Sequence, residues 1–196
     1  MSDTKGRRTR NKTGPRVRRK RTVFSTPWFQ LVEKAVDGER APYYSLRMSD
    51  YLAVVATTRE GDLLLVRQFR PAVERYTLEL PAGHVEPGES PADAARRELM
   101  EEAGCRVGQI ELLGHLLPDT GRLSNRMWCC FAPDVRYRRP LRETERGIDP
   151  VLCSQRDLLR HIRDGRFNHA LHLAAVLLAV QKRKLSGVIS SWVEAI

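Results

Sequence analysis

Five apolar runs before residue 83 alternate with polar or turn-forming residues, and this pattern predicts β-strands. They read WFQLVEKAV, YYSLRM, YLAVVATT, DLLLVRQF and TLELPA, with turn signals such as EGD between several of them. Two later runs, IELLGHLL and RMWCCFAPDV, are also strand-like, whereas helical spacing covers residues 91–103 and stretches near 154–164 and 168–182. A majority of strands with a few helices predicts an α+β protein with a mixed sheet flanked by helices.

The helix predicted over residues 91–103 has clear signals at both ends. Ser90 is a favourable N-cap, and Pro91 suits the first helical position. Gly104 can adopt the left-handed conformation that commonly ends a helix. Both boundaries of this helix are therefore predicted.

Three glutamates on this helix are the main candidates for chemistry. Glu98, Glu101 and Glu102 fall within about one turn, so their carboxylates project from one side. Like charges three or four residues apart repel each other by a few tenths of a kcal/mol, and a divalent cation such as Mg²⁺ compensates them well. The residues alone leave two alternatives, a Mg²⁺ site or a solvated acidic face.

The charge is concentrated at the start of the chain. Residues 1–22 hold ten Lys and Arg against one Asp, whereas the rest of the chain accounts for only +1 of the net charge of +10. A segment with so few apolar residues cannot bury enough surface to offset its ordering entropy, so we expect a disordered basic tail. It is either a plain solvated tail or a non-specific contact for nucleic acid. We expect one folded domain over 23–185 and a C-terminal extension over 186–196.

Apolar runs and cysteines bear on cellular location. No run reaches the roughly eighteen apolar residues of a membrane span, and residues 1–30 lack the apolar segment of a secretory signal. We therefore expect a soluble, cytoplasmic protein without membrane contact, with an organelle transit peptide as a lesser alternative. The cysteines have no C-x-x-C or zinc spacing, so we expect reduced, mostly buried thiols at Cys105, Cys129, Cys130 and Cys153.

A longer pattern surrounds the three glutamates. It reads Gly83, five residues, Glu89, seven residues, Arg97-Glu98-Leu99, one residue, Glu101-Glu102, one residue, Gly104 and the apolar Cys105. This pattern resembles the Nudix box, the loop–helix signature of the Nudix hydrolases, and every defining position is filled. The resemblance implies an α/β/α sandwich that hydrolyses a diphosphate linked to another group, with Mg²⁺ or Mn²⁺ as cofactor.

The resemblance also implies roles for residues of the box. Glu98 and Glu102 look like the principal metal ligands, and Glu101 looks like an additional ligand or a base. The backbone carbonyl of Ala82 resembles a further metal ligand. Arg97 resembles the arginine that orients this cluster through an ion pair with the loop glutamate of the box.

Residues outside the box resemble one branch of the family. The run LLLVRQFRPAVERYTLELPAGHVEPGE is similar to the ADP-ribose and nucleoside-diphosphate-sugar pyrophosphatases, and the likeness covers most of residues 24–182. It implies that Arg70 contacts the diphosphate, for which the planar, bidentate fork of arginine is suited. The alternative for Arg70 is a surface residue at a strand end.

Two aromatic positions bear on the substrate base. Trp28 resembles an aromatic residue that stacks on the base in members whose N-terminal strands are exchanged between two subunits, so we expect a homodimer. Tyr44 or Tyr43 would then form the opposite wall. The alternative for Trp28 is a core residue.

The general base is less well defined. Members commonly supply a catalytic or metal-binding glutamate from a loop between the box and a later strand. The loop RETERGIDPVL offers Glu145 and Glu143, of which we favour Glu145, although alignment on Ile148 places neither squarely at that position. Both are otherwise solvated loop residues.

Three functions therefore remain open. The resemblance favours hydrolysis of ADP-ribose or related nucleoside-diphosphate sugars to a nucleoside monophosphate and a sugar phosphate. The alternatives are an RNA-end or nucleoside triphosphate pyrophosphohydrolase that uses the basic tail, and a non-catalytic nucleotide sensor. The context QFRP…ELPAG weighs against the first alternative, and the intact set of box glutamates weighs against the second.

Overall fold

The computed structural model describes residues 14–137 and 145–185 and divides into two compact units at residue 47. The described part of the first unit is an antiparallel sheet in which the central strand pairs with both others. Its strands are β1 (Val17–Ser25), β2 (Gln30–Val36) and β3 (Tyr43–Arg47).

Strand β1 corrects the prediction of a disordered tail over residues 1–22. Residues 17–22 belong to β1, where for example Thr22 pairs with Val32, so the prediction of disorder is wrong for them. The physical reason is that strand pairing uses backbone hydrogen bonds, which a charged sequence can form without burying its side chains. Glu33 on β2 also offsets part of the positive charge through an ion pair with Arg21 at 3.0 Å. Residues 1–13 and 186–196 lie outside the described residues.

The second unit contains a mixed sheet whose described part has seven strands. The main path runs β10-β5-β4-β9-β8, with β6 paired to β5 and β7 paired to β4. Strands β4 and β9 are parallel, whereas the other pairings are antiparallel. The strands are β4 (Tyr51–Thr57), β5 (Leu63–Arg70), β6 (Arg75–Glu79), β7 (Ala82–His84), β8 (Glu111–Leu116), β9 (Met127–Ala132) and β10 (Ile148–Cys153).

Three helices are described, and they pack on both faces of this sheet. They are α1 (Pro91–Ala103), α2 (Gln155–Arg163) and α3 (Ala170–Gln181). Successive residues of β4 point to opposite faces, as a strand requires. Leu52, Val54 and Ala56 pack with residues of α1, whereas Ala53 and Val55 share a cluster with residues of α2 and α3. This confirms the predicted α/β/α sandwich.

Helix α1 begins after Ser90, whose side chain accepts a hydrogen bond from the Asp93 N–H, and it ends at Gly104 with φ of 60°. All four cysteines are buried and free, as predicted. Among the described residues, no helix is long and apolar enough to cross a membrane.

Candidate active site

A cavity of about 500 Å³ lies in the second unit, between the β7–α1 loop region, the end of β5 and the start of α3. It brings together residues that are up to 121 positions apart in the sequence, from Tyr51 to His172, because β5 and β7 both pair with β4 and α1 packs against β7. Seven predicted site residues line it: Arg70, Ala82, Arg97, Glu98, Glu101, Glu102 and Glu145.

Gly83 lets the glutamates of α1 approach β7 closely. A Cβ atom at this position would overlap the carboxylate of Glu98, since its nearest neighbours are the Glu98 Cδ and both carboxylate oxygens. The backbone N–H of Ala82 donates a hydrogen bond of 3.0 Å to Glu102 Oε2. Two box glutamates therefore contact the backbone of β7 directly, which explains the glycine in the box.

Glu98 and Glu102 are buried, whereas Glu101 is exposed. Only 7% of Glu98 and 3% of Glu102 is accessible to solvent. Burial raises the pKa of Glu102 to about 8, and the nearby Glu98 carboxylate contributes to the rise. Burial likewise raises the pKa of Glu98, although its ion pair with Arg97 opposes the shift. Two adjacent buried carboxylates with raised pKa values suit a divalent cation, which would stabilise their ionised forms.

Arg97 links several acidic groups around the cavity. Its Nε and Nη2 donate to the two carboxylate oxygens of Glu89, each at 3.1 Å, so the ion pair that the resemblance implied is present. Nη1 donates to Glu98 at 2.7 Å and to Glu101 at 3.0 Å. Nη2 also donates to the carbonyl of His84 at 2.8 Å, which ties α1 to the end of β7. Arg97 therefore fixes the orientation of two box carboxylates.

Arg70 faces the cavity from the end of β5, but its fork is already engaged. Its Nε and Nη2 donate to the two carboxylate oxygens of Glu79 at 2.9 and 2.7 Å. The Arg70 side chain is 42% exposed, whereas Glu79 is 1% exposed. A diphosphate would therefore meet the remaining Nη1–Nη2 edge of the guanidinium rather than the fork that we expected to be free.

Glu145 lies at the edge of the same cavity. Its backbone N–H donates a hydrogen bond of 2.8 Å to the carbonyl oxygen of Glu101, which anchors this part of the loop to α1. Its charge also contributes to the raised pKa of Glu102. The other candidate, Glu143, lies outside the described residues.

The aromatic residues predicted to contact the base belong to the first unit. Trp28 lies in the β1–β2 connection and is 75% exposed, so the alternative of a core tryptophan is wrong. Tyr44 lies on β3 and is 48% exposed, and its hydroxyl donates to Glu33 at 3.3 Å. Both aromatic rings are therefore available on the surface of that unit.

The cavity also contains histidines to which the sequence analysis assigned no role. His169 caps α3, and its ring stacks on that of His172 with 3.9 Å between centroids. Together with Glu79 they could hold a metal ion, since one ligand atom from each lies within 4.8 Å of the others. The Glu79 carboxylate is already bound by Arg70, however, and His172 Nδ1 accepts the backbone N–H of Leu80 at 3.1 Å. Two members of this trio are therefore already engaged by hydrogen bonds, which makes the trio less suited to a cation than the box glutamates.

Other cavity-lining residues were also missed. They are Tyr51, Gln68, His84, Glu86 and Ile148. The three-residue spacing of His169 and His172 at a predicted helix start was a signal for a shared face. His84 and Glu86 lie inside the box loop, and Gln68 lies two residues before Arg70 on β5, so their neighbours were a signal. Tyr51 and Ile148 had no local signal, because they reach the cavity only through pairing of the sheet.

Comparison with known proteins shows the family to which the chain belongs. The NUDIX domain family matches residues 49–170. The chain belongs to the Nudix family of hydrolases. This Nudix hydrolase is 51% identical to the ADP-ribose pyrophosphatase of Bacillus subtilis (strain 168), over 84% of this chain and 95% of the relative.

Two further matches are to proteins described as ADP compounds hydrolases. The Nudix hydrolase is 29% identical to the ADP compounds hydrolase NudE of Escherichia coli (strain K12), over 77% of this chain and 82% of that protein. Its fold matches a crystal structure of an ADP compounds hydrolase with a TM-score of 0.75 and 22% identity, over 91% of this chain and 99% of that one. The structural match shows that the Nudix fold is shared.

Proposed function

We propose that this Nudix hydrolase cleaves the diphosphate bond of ADP-ribose or a related nucleoside-diphosphate sugar. The products would be a nucleoside monophosphate and a sugar phosphate. The observation that carries the proposal is the meeting of two buried box glutamates, Glu98 and Glu102, with Arg70 in one cavity. The similarity to an ADP-ribose pyrophosphatase over most of both chains supports the choice of substrate.

In this proposal, residues of the box bind a cation and Arg70 binds the diphosphate. Glu98 and Glu102 would hold Mg²⁺ or Mn²⁺, with the carbonyl of Ala82 and with Glu101 as further ligands. A bound cation of this kind neutralises charge on the diphosphate and activates water for attack on phosphorus. Arg70 would bind diphosphate oxygens through its Nη1–Nη2 edge, which faces away from Glu79.

In this proposal, a second arginine orients the box carboxylates, and a glutamate outside the box is the general base. Arg97 keeps the carboxylates of Glu98 and Glu101 in a fixed orientation through the hydrogen bonds described above. Glu145 is our candidate for the general base, because it lines the same cavity and its backbone is anchored to α1. Glu101, which is exposed at the cavity, is the alternative base.

The first unit would contribute to recognition of the base. We propose that Trp28 and Tyr44 stack on the base in a homodimer that exchanges its N-terminal strands, since both rings are exposed. Contact between the basic N-terminal residues and nucleic acid, like a cytoplasmic location, stays a prediction.

Product analysis tests the proposed reaction. With Mg²⁺ present, we expect ADP-ribose to yield AMP and ribose 5-phosphate, because attack occurs within the diphosphate. Chromatography of reactions with ADP-ribose, ADP-glucose, GDP-mannose and nucleoside triphosphates would identify the products. Release of pyrophosphate from the triphosphates, with the nucleotide sugars untouched, would favour the alternative function of a triphosphate pyrophosphohydrolase.

A truncation tests whether the basic tail takes part in hydrolysis. Residues 1–13 carry five of the basic residues but precede β1. We expect their deletion to change kcat/KM on ADP-ribose less than about threefold, whereas any binding to RNA should weaken and depend less on salt. Steady-state kinetics and a salt titration of RNA binding measure the two effects. A tenfold loss of hydrolysis would instead place the tail in the active site.

A further inference from the structure

We propose that Glu79 is a positioning residue that fixes Arg70 so that its Nη1–Nη2 edge faces the diphosphate. The inference rests on the proposed function, because it needs Arg70 to bind the substrate. It assigns a task to a buried carboxylate that lies on β6, outside the Nudix box.

The contact between the two side chains restricts the arginine strongly. Both oxygens of Glu79 accept hydrogen bonds from Arg70, at 2.9 Å from Nε and at 2.7 Å from Nη2. A bidentate contact of this kind fixes the plane of the guanidinium as well as its position. The five N–H groups of arginine lie in one plane, so the Nη1–Nη2 edge then has one defined direction.

The Glu79 carboxylate is also held by a hydrogen bond from Thr77. Thr77 Oγ1 donates a hydrogen bond of 2.6 Å to Glu79 Oε1. Antiparallel pairing of β5 with β6 places Thr77 opposite Gln68 and Glu79 opposite Val66. Because paired residues and every second residue of a strand share a face of the sheet, the side chains of Glu79 and Arg70 lie on the same face. Burial alone would raise the pKa of Glu79, but the hydrogen bonds from Arg70 and Thr77 outweigh it and lower the pKa to about 2. The carboxylate therefore remains ionised and cannot rotate freely.

His172 does not compete for this carboxylate. Its Nδ1 lies 3.9 Å from Glu79 Oε2, but that nitrogen accepts the N–H of Leu80 and carries no proton to share. Burial also lowers the pKa of His172 to about 3, so the ring is neutral. Among the described residues, Arg70 is thus the cation that Glu79 binds.

The difference in exposure points to positioning rather than to stability. A buried ion pair is weak evidence for stability, because desolvation offsets most of the attraction between the charges. Here the carboxylate is almost fully buried while the arginine is 42% exposed and borders the cavity. Glu79 therefore orders a flexible side chain before substrate binds, which reduces the entropy that binding would otherwise lose.

A double-mutant cycle on the full chain tests this role. We expect Glu79→Gln to lower kcat/KM on ADP-ribose by ten- to a hundredfold, because the amide replaces one acceptor oxygen with an NH2 donor and cannot make the bidentate contact with the guanidinium. In an Arg70→Ala background the same change should cost less than about threefold, since no arginine is left to position. Thr77→Val removes the hydroxyl that donates to Glu79 at 2.6 Å and, more weakly, to the Gln68 carbonyl at 3.3 Å. This change should cost about three- to tenfold and should likewise lose its effect without Arg70.

The controls separate positioning from folding and from the proposed function. Asp164→Asn changes an exposed carboxylate that also pairs with an arginine, Arg166, and should leave kcat/KM within twofold. Equal losses from Glu79→Gln with and without Arg70 would overturn the inference, as would full activity in that variant. If Glu79→Gln does not fold, the inference is tested by comparing the loss of kcat/KM caused by Thr77→Val with and without Arg70. Equal losses would overturn it. A wild-type enzyme inactive on ADP-ribose would overturn the proposed function, and this inference with it.

Discussion

Changing Glu102 to Gln should lower kcat on ADP-ribose by at least two orders of magnitude while the protein stays folded. The amide keeps the size of the side chain but removes a charge that the proposed cation needs. Because Glu102 is only 3% exposed, the substitution also removes a carboxylate that is costly to bury without a cation. When a chelator removes divalent cations, the melting temperature of the variant should therefore equal or exceed that of the wild type.

Metal dependence of the melting temperature gives a readout that does not depend on catalysis. Millimolar Mg²⁺ should raise the melting temperature of the wild type, since a ligand that binds only the folded state stabilises it. The Glu102→Gln protein should show a much smaller rise. Glu60→Gln, at an exposed glutamate in the β4–β5 turn, is the matched control and should behave like the wild type. Normal turnover in a folded Glu102→Gln protein would refute the metal-site assignment.

Helix α1 and its acidic face could be predicted because their signals are local. The N-cap serine, the following proline and the terminal glycine act within one or two turns, and the glutamates share a face through helical spacing alone. The apolar runs similarly identified most strands, since alternation along a strand depends on neighbouring residues. The family pattern then added the expected layers on both faces of the sheet.

The remaining features depend on pairing between distant segments. Strand β1 was missed because its residues are all exposed and it forms by pairing with β2. Strand β10, at the edge of the described sheet, was missed in the strand pattern because it contains Pro150, which cannot donate to a ladder. The Arg70–Glu79 contact likewise required the register of β5 with β6, which no local pattern specifies.

Changing Gly83 to Ala should reduce kcat/KM by at least tenfold. An added Cβ would occupy the space of the Glu98 carboxylate, so either that side chain or the backbone of β7 must move. Both movements would displace groups that we assign to the cation, because Ala82 and Glu98 lie on the two sides of this contact. Overpacking of a close contact also costs about 1–3 kcal/mol, so the melting temperature should fall. Steady-state kinetics and thermal unfolding measure the two effects.

A second substitution shows whether the clash with Glu98 is the cause. The three atoms nearest to the added Cβ all belong to the Glu98 side chain, so truncating that side chain should make room for it. In a Glu98→Ala background, the stability cost of Gly83→Ala should therefore largely disappear, as expected for two residues in direct contact. Gly108→Ala is the matched control, because a Cβ there meets no atom within 4 Å, and it should leave activity and stability nearly unchanged. A cost of Gly83→Ala that persists without the Glu98 side chain would mean that the glycine serves the backbone of β7 rather than the approach of the box carboxylate.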